Sequence, residues 1–422
     1  SGRELRRNAI QLVTGKAATA VLSFVVLLVL VRLLSVKSYG AYMSFVATME
    51  MLFALAGLGL PWVGARFLPE YRLNASAAAT AHLIWSMLAV QTAALALCLS
   101  LLWFVLTPAL SYMGLAQFQD AAVLFIVVAL IEGISRFLHG AVLGPLMQQA
   151  SVRLSLLVRQ TALLTLLTTL WISDAVELRT VVVSEIVASL FGLFVAAIGL
   201  VRGLRAVPPA SADPAWRPRR WIEMWRVAAN MYVVFALTLL YSPQCVQLFV
   251  QRMLGLEAAA LFGFLRALYG QLSRVLPATM LFAIIRPKLV AVALSNGGVR
   301  SMGQHANVAA KASLAVLVAA MLVAAVVGSG LVEVVSGGKF DSTGWLMFGM
   351  LAALVPFSQR QLVESVAVAC ERSGLVLRAA LSGILMPPLL YLLIKTGAGL
   401  WGAIVVMGAG HVLVNTLVLR TL

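Results

Sequence analysis

RGLRAVPPASADPAWRPRRWIEMWR, residues 202–226, lies near the middle of a chain of 422 residues and divides it. Four of the 14 prolines and six arginines fall in this one interval. Proline pairs beside Ala, Ser and Asp end regular elements and make loops. Arginines next to apolar segments stay on the cytoplasmic face of a membrane. The stretch therefore reads as a cytoplasmic basic linker between an N-terminal block, 1–201, and a C-terminal block, 227–422. The bland alternative is a long loop and nothing more.

Composition sets the class. Hydrophobic residues make up 62% of the chain and charged residues only 11%, against about 25% charged in a typical soluble domain. Mean hydropathy is +1.00. These values describe an integral membrane protein that crosses the bilayer many times. The net charge of +16 would point to nucleic acid in a soluble chain. Here it sits mostly in loops, where topology and contact with anionic membrane lipids explain it, so no nucleic-acid partner is expected. Cys98, Cys245 and Cys370 lie inside apolar runs and form neither a disulfide framework nor a zinc site. The first apolar run is too long for a cleavable signal peptide.

A spanning helix needs about 20 mostly apolar residues. Twelve segments meet that requirement: 9–33, 39–62, 79–106, 119–144, 150–172, 178–201, 227–250, 257–283, 306–328, 343–367, 375–394 and 399–419. An even number puts both termini on one side. With the N-terminus in the cytoplasm, about 18 of the 31 Lys and Arg fall in or beside cytoplasmic segments and about six outside, the bias expected for that orientation. The outer loops span about 15 residues or fewer, too short for an external catalytic domain. The chain is accordingly expected not to be an enzyme. It shows no phosphate-binding glycine loop, paired-carboxylate arrangement or metal motif.

The two halves echo one another. LVRLLSVKSYGAY (30–42) leads into a helix broken by GLGLP (57–61), and FVQRMLGLEAAALFGF (249–264) leads into a helix with Pro277. Interrupted helices at matching places in two halves point to a substrate path; ordinary proline kinking is the structural alternative. RLLSVKSYGAY, GLGLP and ARFLPEYR (65–72), followed later by SGGKFDST (336–343) and TGAGLWGAIV (396–405), resemble the polysaccharide transporters of the MATE-like flippase superfamily. The resemblance covers nearly the whole chain, and its first 70 residues carry most of it. The second half departs from the pattern with Ala260 where the first has Gly40.

That resemblance implies a V of two six-helix bundles around a central cavity, alternating between inward-open and outward-open states. It implies a flippase that carries an undecaprenyl-pyrophosphate-linked oligosaccharide from the cytoplasmic to the periplasmic leaflet of a bacterial inner membrane. Polysaccharide polymerase or assembly proteins are implied partners. No cofactor is expected, although proton or sodium coupling fits the class. The alternatives are a multidrug or cation exporter of the same fold and a non-transporting membrane subunit of a polysaccharide assembly complex.

Charge inside the spans narrows the site. A charged side chain at a helix centre costs about 2.5–3.5 kcal/mol on insertion scales, so such residues face partners or water. Lys16, Arg136, Arg159, Arg266, Arg274, Lys311 and Arg360 oppose only Glu50, Glu132, Glu185 and Glu364. A net positive interior suits an anionic ligand such as pyrophosphate. Arg266 and Arg274 are about 12 Å apart along one helix with Gln271 between them, a ladder for a phosphate unless Arg274 snorkels to the interface. Lys16 either receives the head group or snorkels. Arg159 is either a ligand contact or a partner of another helix, with Glu185 the nearest choice. Glu50 is a candidate for ion coupling or for pairing with Lys16. Glu132–Arg136 and Arg360–Glu364 are i, i+4 pairs, read as gating or structural elements. Gly140 and Gly144 have the spacing of close helix packing, and His82, His139, His305 and His411 read as core or interface residues.

Overall fold

GLGLP stops a helix, as its composition predicts. In the computed structural model, which describes residues 2–206, 218, 220–280, 298–341, 343–369 and 373–421, α1 (Gly2–Leu33) is followed by α2 (Val36–Ala56), whose start is capped by the Ser35 hydroxyl accepting from the Ser38 amide. Leu58 and Gly59 then take positive φ values of 45° and 76°, and α3 (Leu60–Asn74) restarts with Pro61 in its first turn, where its missing N–H costs nothing. Four more segments complete the first half: α4 (Ala77–Tyr112), α5 (Gln119–Phe137) continued by a π-helical turn over Leu138–Leu143, α6 (Gln149–Ile172) and α7 (Leu178–Arg205).

The second half is interrupted more often than a run of single helices predicts. The expected helix 227–250 is two, α8 (Trp221–Leu239) and α9 (Pro243–Leu254). Pro243 cannot donate to the preceding turn, and the Ser242 hydroxyl caps the new helix by accepting from the Cys245 amide. The expected helix 257–283 is α10 (Leu256–Val275), which ends where Leu276 turns extended before Pro277, and the short α11 (Pro277–Met280). Then come α12 (Gly298–Ser336), α13 (Gly344–Ala369), α14 (Ser373–Leu381), a 3₁₀ turn, α15 (Met386–Lys395) and α16 (Gly399–Thr421). No strand occurs among the described residues.

Ten of these segments are long and apolar enough to span a membrane. With α1, and α10 taken together with α11, they make up the twelve expected. The most apolar windows of α4 and α12 are only 22% buried, and what they expose is apolar, including Phe104 and Val326. Such a surface would aggregate in water; it suits contact with hydrocarbon. The protein is an all-α integral membrane protein.

Contacts divide the chain into two compact units. The first holds residues up to Ser38 with Met49–Tyr232, and the second holds Tyr39–Thr48 with residues from Val233 onward. In the first, Leu60, Val63 and Leu68 of α3 pack with Ile84 and Met87 of α4, Val142 and Leu143 after α5, and Leu200 of α7. Trp221 and Trp225 lie against this core. Their burial explains why α8 begins inside the stretch read as a linker. Residues 207–217 and Arg219 of that stretch, and Arg286 and Lys288, lie outside the described residues.

In the second unit the start of α2 meets α10 at backbone distance. A Cβ on Gly40 would collide with the carbonyl oxygen of Leu256 and lie 3.3 Å from the Ala260 amide nitrogen. Gly40 is needed because backbone cannot yield as a side-chain tip can. The Ser44 hydroxyl donates to the Gln251 amide oxygen at 3.1 Å, one turn further on. Gly40→Val is expected to destabilise this packing by about 1–3 kcal/mol, as overpacked cores do. A lowered apparent melting temperature in detergent is the check.

Candidate functional site

In the first unit, four helices bring charge together. Glu132 and Arg136 share one face of α5 at i, i+4, Arg159 comes from α6, and Glu185 and Ser189 share one face of α7. Arg159 donates through Nε to Glu132 Oε1 at 2.5 Å and through Nη2 to Glu185 Oε2 at 2.6 Å. The Ser189 hydroxyl lies between, donating to Glu132 Oε1 at 2.9 Å and accepting from Arg159 Nε at 3.2 Å. Arg136 donates through Nε to Glu132 Oε2 at 3.3 Å, and its Nη1 lies 3.7 Å from Glu50 of α2. Among the described residues, three carboxylates therefore face two guanidinium groups. Ser155 of α6 extends the polar core, donating to the Gly192 carbonyl at 2.6 Å and lying 2.9 Å from His139 Nε2 in the π turn.

Exposure separates the members of this cluster. The side chains of Glu132, Glu185 and Arg159 are 6%, 5% and 13% exposed, while Glu50 is at 23% and Arg136 at 46%. Arg159, read either as a ligand contact or as a partner for another helix, is ion-paired with Glu132 and Glu185. Glu50, read as a coupling residue or a partner for Lys16, lies beside Arg136; the Lys16 side chain is outside what the structure describes.

The second unit has its own buried guanidinium. Arg360 of α13 donates through Nε to Glu364 Oε1 at 2.6 Å, through Nη2 to Thr238 Oγ1 of α8 at 2.8 Å, and through Nη1 to the Tyr241 hydroxyl. It also lies 5.6 Å from the centre of the Tyr241 ring. The break before Pro243 is what turns Tyr241 inward. Its ring meets His411 of α16 edge-on at 5.1 Å, and His411 meets Phe357 of α13 at 5.2 Å. One turn along α16, the Asn415 amide donates to the carbonyl of Pro356 at 2.8 Å, where α13 carries its internal proline. The Arg360–Glu364 pair read from its spacing thus exists, and Arg360 ties α13 to the end of α8.

Arg266, on α10, is buried at 7% exposure. Tyr39 from the start of α2 is fully buried within its electrostatic reach. One turn on, Tyr269 is buried, and neither its hydroxyl nor the buried Gln271 side-chain oxygen has a hydrogen-bond partner among the described residues. Arg274 lies exposed in the last turn of α10. The pair 266/274 therefore has one sealed and one open member. Lys311 is exposed on α12. Gly140 and Gly144 do not form a close-packing seam: the position of a Gly140 Cβ is open, and the π turn over Leu138–Leu143 carries Gly140 and ends at Gly144, so the two do not keep the regular helical register that their spacing assumes.

Several contributors were not read from the sequence: Ser189 and Ser155 in the first unit, and Thr238 and Tyr241 in the second. The one available signal was periodicity, since Glu185 and Ser189 are a turn apart. Tyr241 had none, because its role depends on the helix break that follows it.

Comparison with known proteins agrees with this architecture. The chain covers 94% of its length against 92% of a multidrug resistance MATE family transporter of the MOP superfamily, solved inward-facing, at a TM-score of 0.63 and 12% identity. A lipid II flippase, MurJ, solved in an inward closed conformation, matches at 0.63 and 10% identity over 98% of this chain and 87% of that one. An aspartate-to-asparagine mutant of the Vibrio cholerae MATE transporter VcmN matches at 0.57 and 16% identity over 96% and 97%. At such identities these likenesses show the fold. No curated protein matches the sequence significantly. The profile of the family described as polysaccharide biosynthesis protein matches residues 5–276. That match takes in more than half of the chain, including the charged cluster of the first unit and all of α10: the chain belongs to the polysaccharide biosynthesis protein family, on a MATE-like transporter fold.

Proposed function

We propose that the protein is a flippase that moves an undecaprenyl-pyrophosphate-linked oligosaccharide from the cytoplasmic to the periplasmic leaflet of a bacterial inner membrane by alternating access. Family membership supports a role in polysaccharide biosynthesis, and a solved flippase of the same fold acts on lipid II, a lipid-linked glycan. Both termini lie in the cytoplasm in this reading, following the distribution of Lys and Arg. The observation that carries the proposal is Arg266, a guanidinium buried in a helix of a membrane bundle. Arginine holds phosphate in a fork of donors, and ionisable residues within spanning segments mark substrate paths. Arg266, Gln271 and Arg274 of α10 are the proposed contacts for the pyrophosphate. Arg159, with two carboxylates on its guanidinium, is assigned instead to holding the first unit together. Arg360–Glu364 is the proposed gating pair of the second unit.

The test is translocation of a fluorescent undecaprenyl-pyrophosphate oligosaccharide in proteoliposomes, with and without a proton or sodium gradient. Translocation above empty liposomes is expected, and its absence from a folded protein refutes this substrate. A second reading has one observation in its favour. Among the described residues, the cluster of the first unit gathers three carboxylates beside two guanidinium groups, acidic groups that a cation could use. Gradient-driven export of ethidium by the same proteoliposomes would favour a multidrug exporter.

A further inference from the structure

The interruption between α2 and α3 is held from outside by α8. Leu55 lies in the last turn of α2, where backbone carbonyls lack a helical donor. The Tyr232 hydroxyl of α8 supplies one, donating to the Leu55 carbonyl at 2.9 Å. One turn earlier on α8, Ala228 packs on the break itself: a Cβ on Gly59 would stand 2.5 Å from the Ala228 carbonyl oxygen and 2.9 Å from the Ala228 methyl group. Gly59 has a φ of 76°, which glycine adopts freely. Leu58 does not adopt its own φ of 45° freely, because its Cβ then crowds the following carbonyl. Strain kept in this way gathers at elements that switch. The two sides of the break are held unequally. On the α3 side, Leu60, Val63 and Leu68 are packed with Ala228 in the core of the first unit. On the α2 side, residues 51–54 are only partly buried, Leu55 is exposed, and the Tyr232–Leu55 bond lies at the surface. A strained residue, a rigid segment on one side and a surface hydrogen bond on the other make a joint with a latch.

We propose that this break is a two-position joint: the Tyr232 hydroxyl latches it in the kinked position of this structure, and the transport cycle releases it, so that Leu58 leaves the left-handed region and α2 swings on α3. The proposal rests on the flippase reading for its place in a cycle; the joint itself is a property of α2, α3 and α8. Opposing terms keep both positions within reach. The latched position has the Tyr232 bond and carries the strain of Leu58, while the released one gives up the bond and relieves the strain. Pro61 keeps the released position from becoming one straight helix, since it has no N–H for the Gly57 carbonyl. Both α2 and α8 also have residues in each of the two units, so the latch joins two chain segments that continue from one unit into the other.

The test is a distance within the first unit. Lys37 of α2 and Ala65 of α3 are both exposed. Spin labels at Lys37→Cys and Ala65→Cys, in the full-length protein with Cys98, Cys245 and Cys370 replaced by Ala, report the angle at the break by double electron–electron resonance in nanodiscs. The chain with Tyr232 and Leu58 intact should show two distances. Tyr232→Phe removes the latch alone and should move the ratio of the two positions about fivefold toward the released one, the worth of one hydrogen bond. Leu58→Gly relieves the strain and should move the ratio about fivefold or more toward the latched one. The two substitutions together should return it close to the starting ratio. A tyrosine with a merely structural role lowers the melting temperature and leaves one unchanged distance. One distance in all four chains overturns the joint, as do two distances whose ratio neither substitution moves. Translocation of the lipid-linked oligosaccharide, measured in parallel, separates the readings. Leu58→Gly should slow it about threefold or more by holding the latch, and adding Tyr232→Phe should recover the rate; an unchanged rate in Leu58→Gly takes the joint out of the cycle and overturns the proposal. If the distances respond while no chain translocates that lipid, the joint stands and the substrate is wrong. If the lipid is translocated while the distance stays single, the substrate stands and the joint falls.

Discussion

Arg266→Ala proteoliposomes are expected to translocate the lipid-linked oligosaccharide at least about 100-fold more slowly than wild type, with the protein still monodisperse. The size follows from losing two charge-assisted hydrogen bonds to phosphate, each worth about 1.5–3 kcal/mol. The guanidinium is 7% exposed, so it does not meet a bulky ligand in this arrangement; transport must uncover it. Arg266→Lys restores charge without the planar fork and should recover part of the rate. The scaffold alternative predicts a different pattern, in which Arg266→Ala leaves polysaccharide assembly intact. A wild-type rate in the alanine variant would remove Arg266 from the substrate path and with it the observation on which the proposed function rests.

Arg159→Ala is expected to produce the largest loss of stability. It leaves Glu132 and Glu185, 6% and 5% exposed, without the cation that bridges them. Breaking a buried pair from one side costs about 3–5 kcal/mol, because both carboxylates remain and the cation between them does not. Against a total of about 5–15 kcal/mol for a typical domain, that is a large share. The check is the apparent melting temperature in detergent together with membrane expression. Neutralising the whole group, with Arg159→Leu, Glu132→Gln and Glu185→Gln in one chain, should recover most of the loss, since buried ion clusters replaced entire are often tolerated. A ligand-binding role for Arg159 predicts the reverse: a stable Arg159→Ala protein that no longer binds substrate.

Much of the fold was legible because lipid simplifies the code. Backbone groups in hydrocarbon have to bond internally, so each long apolar run becomes a helix. Pro61 and Pro277 announced breaks, since proline acts through local sterics. The break at Tyr241–Pro243 was missed because the apolar run continues through it and conceals the restart. The start of α8 was placed too late, since Trp221 and Trp225 extend it by packing against a core assembled from α3, α4 and α7.

The charged residues divide in the same way. Sequence alone determined which spans carry charge and the i, i+4 partners Glu132–Arg136 and Arg360–Glu364, because helix geometry fixes what stands one turn away. Tertiary structure alone decided that Arg159 is bound by two carboxylates, that Glu50 stands beside Arg136, and that Arg136 stays open where Arg266 is sealed. Those facts depend on the rotation of one helix against another. That rotation is set by packing at points such as Gly40 and Gly133, where the absence of a single Cβ lets a neighbour approach; a linear pattern records the glycine but not what fills its place.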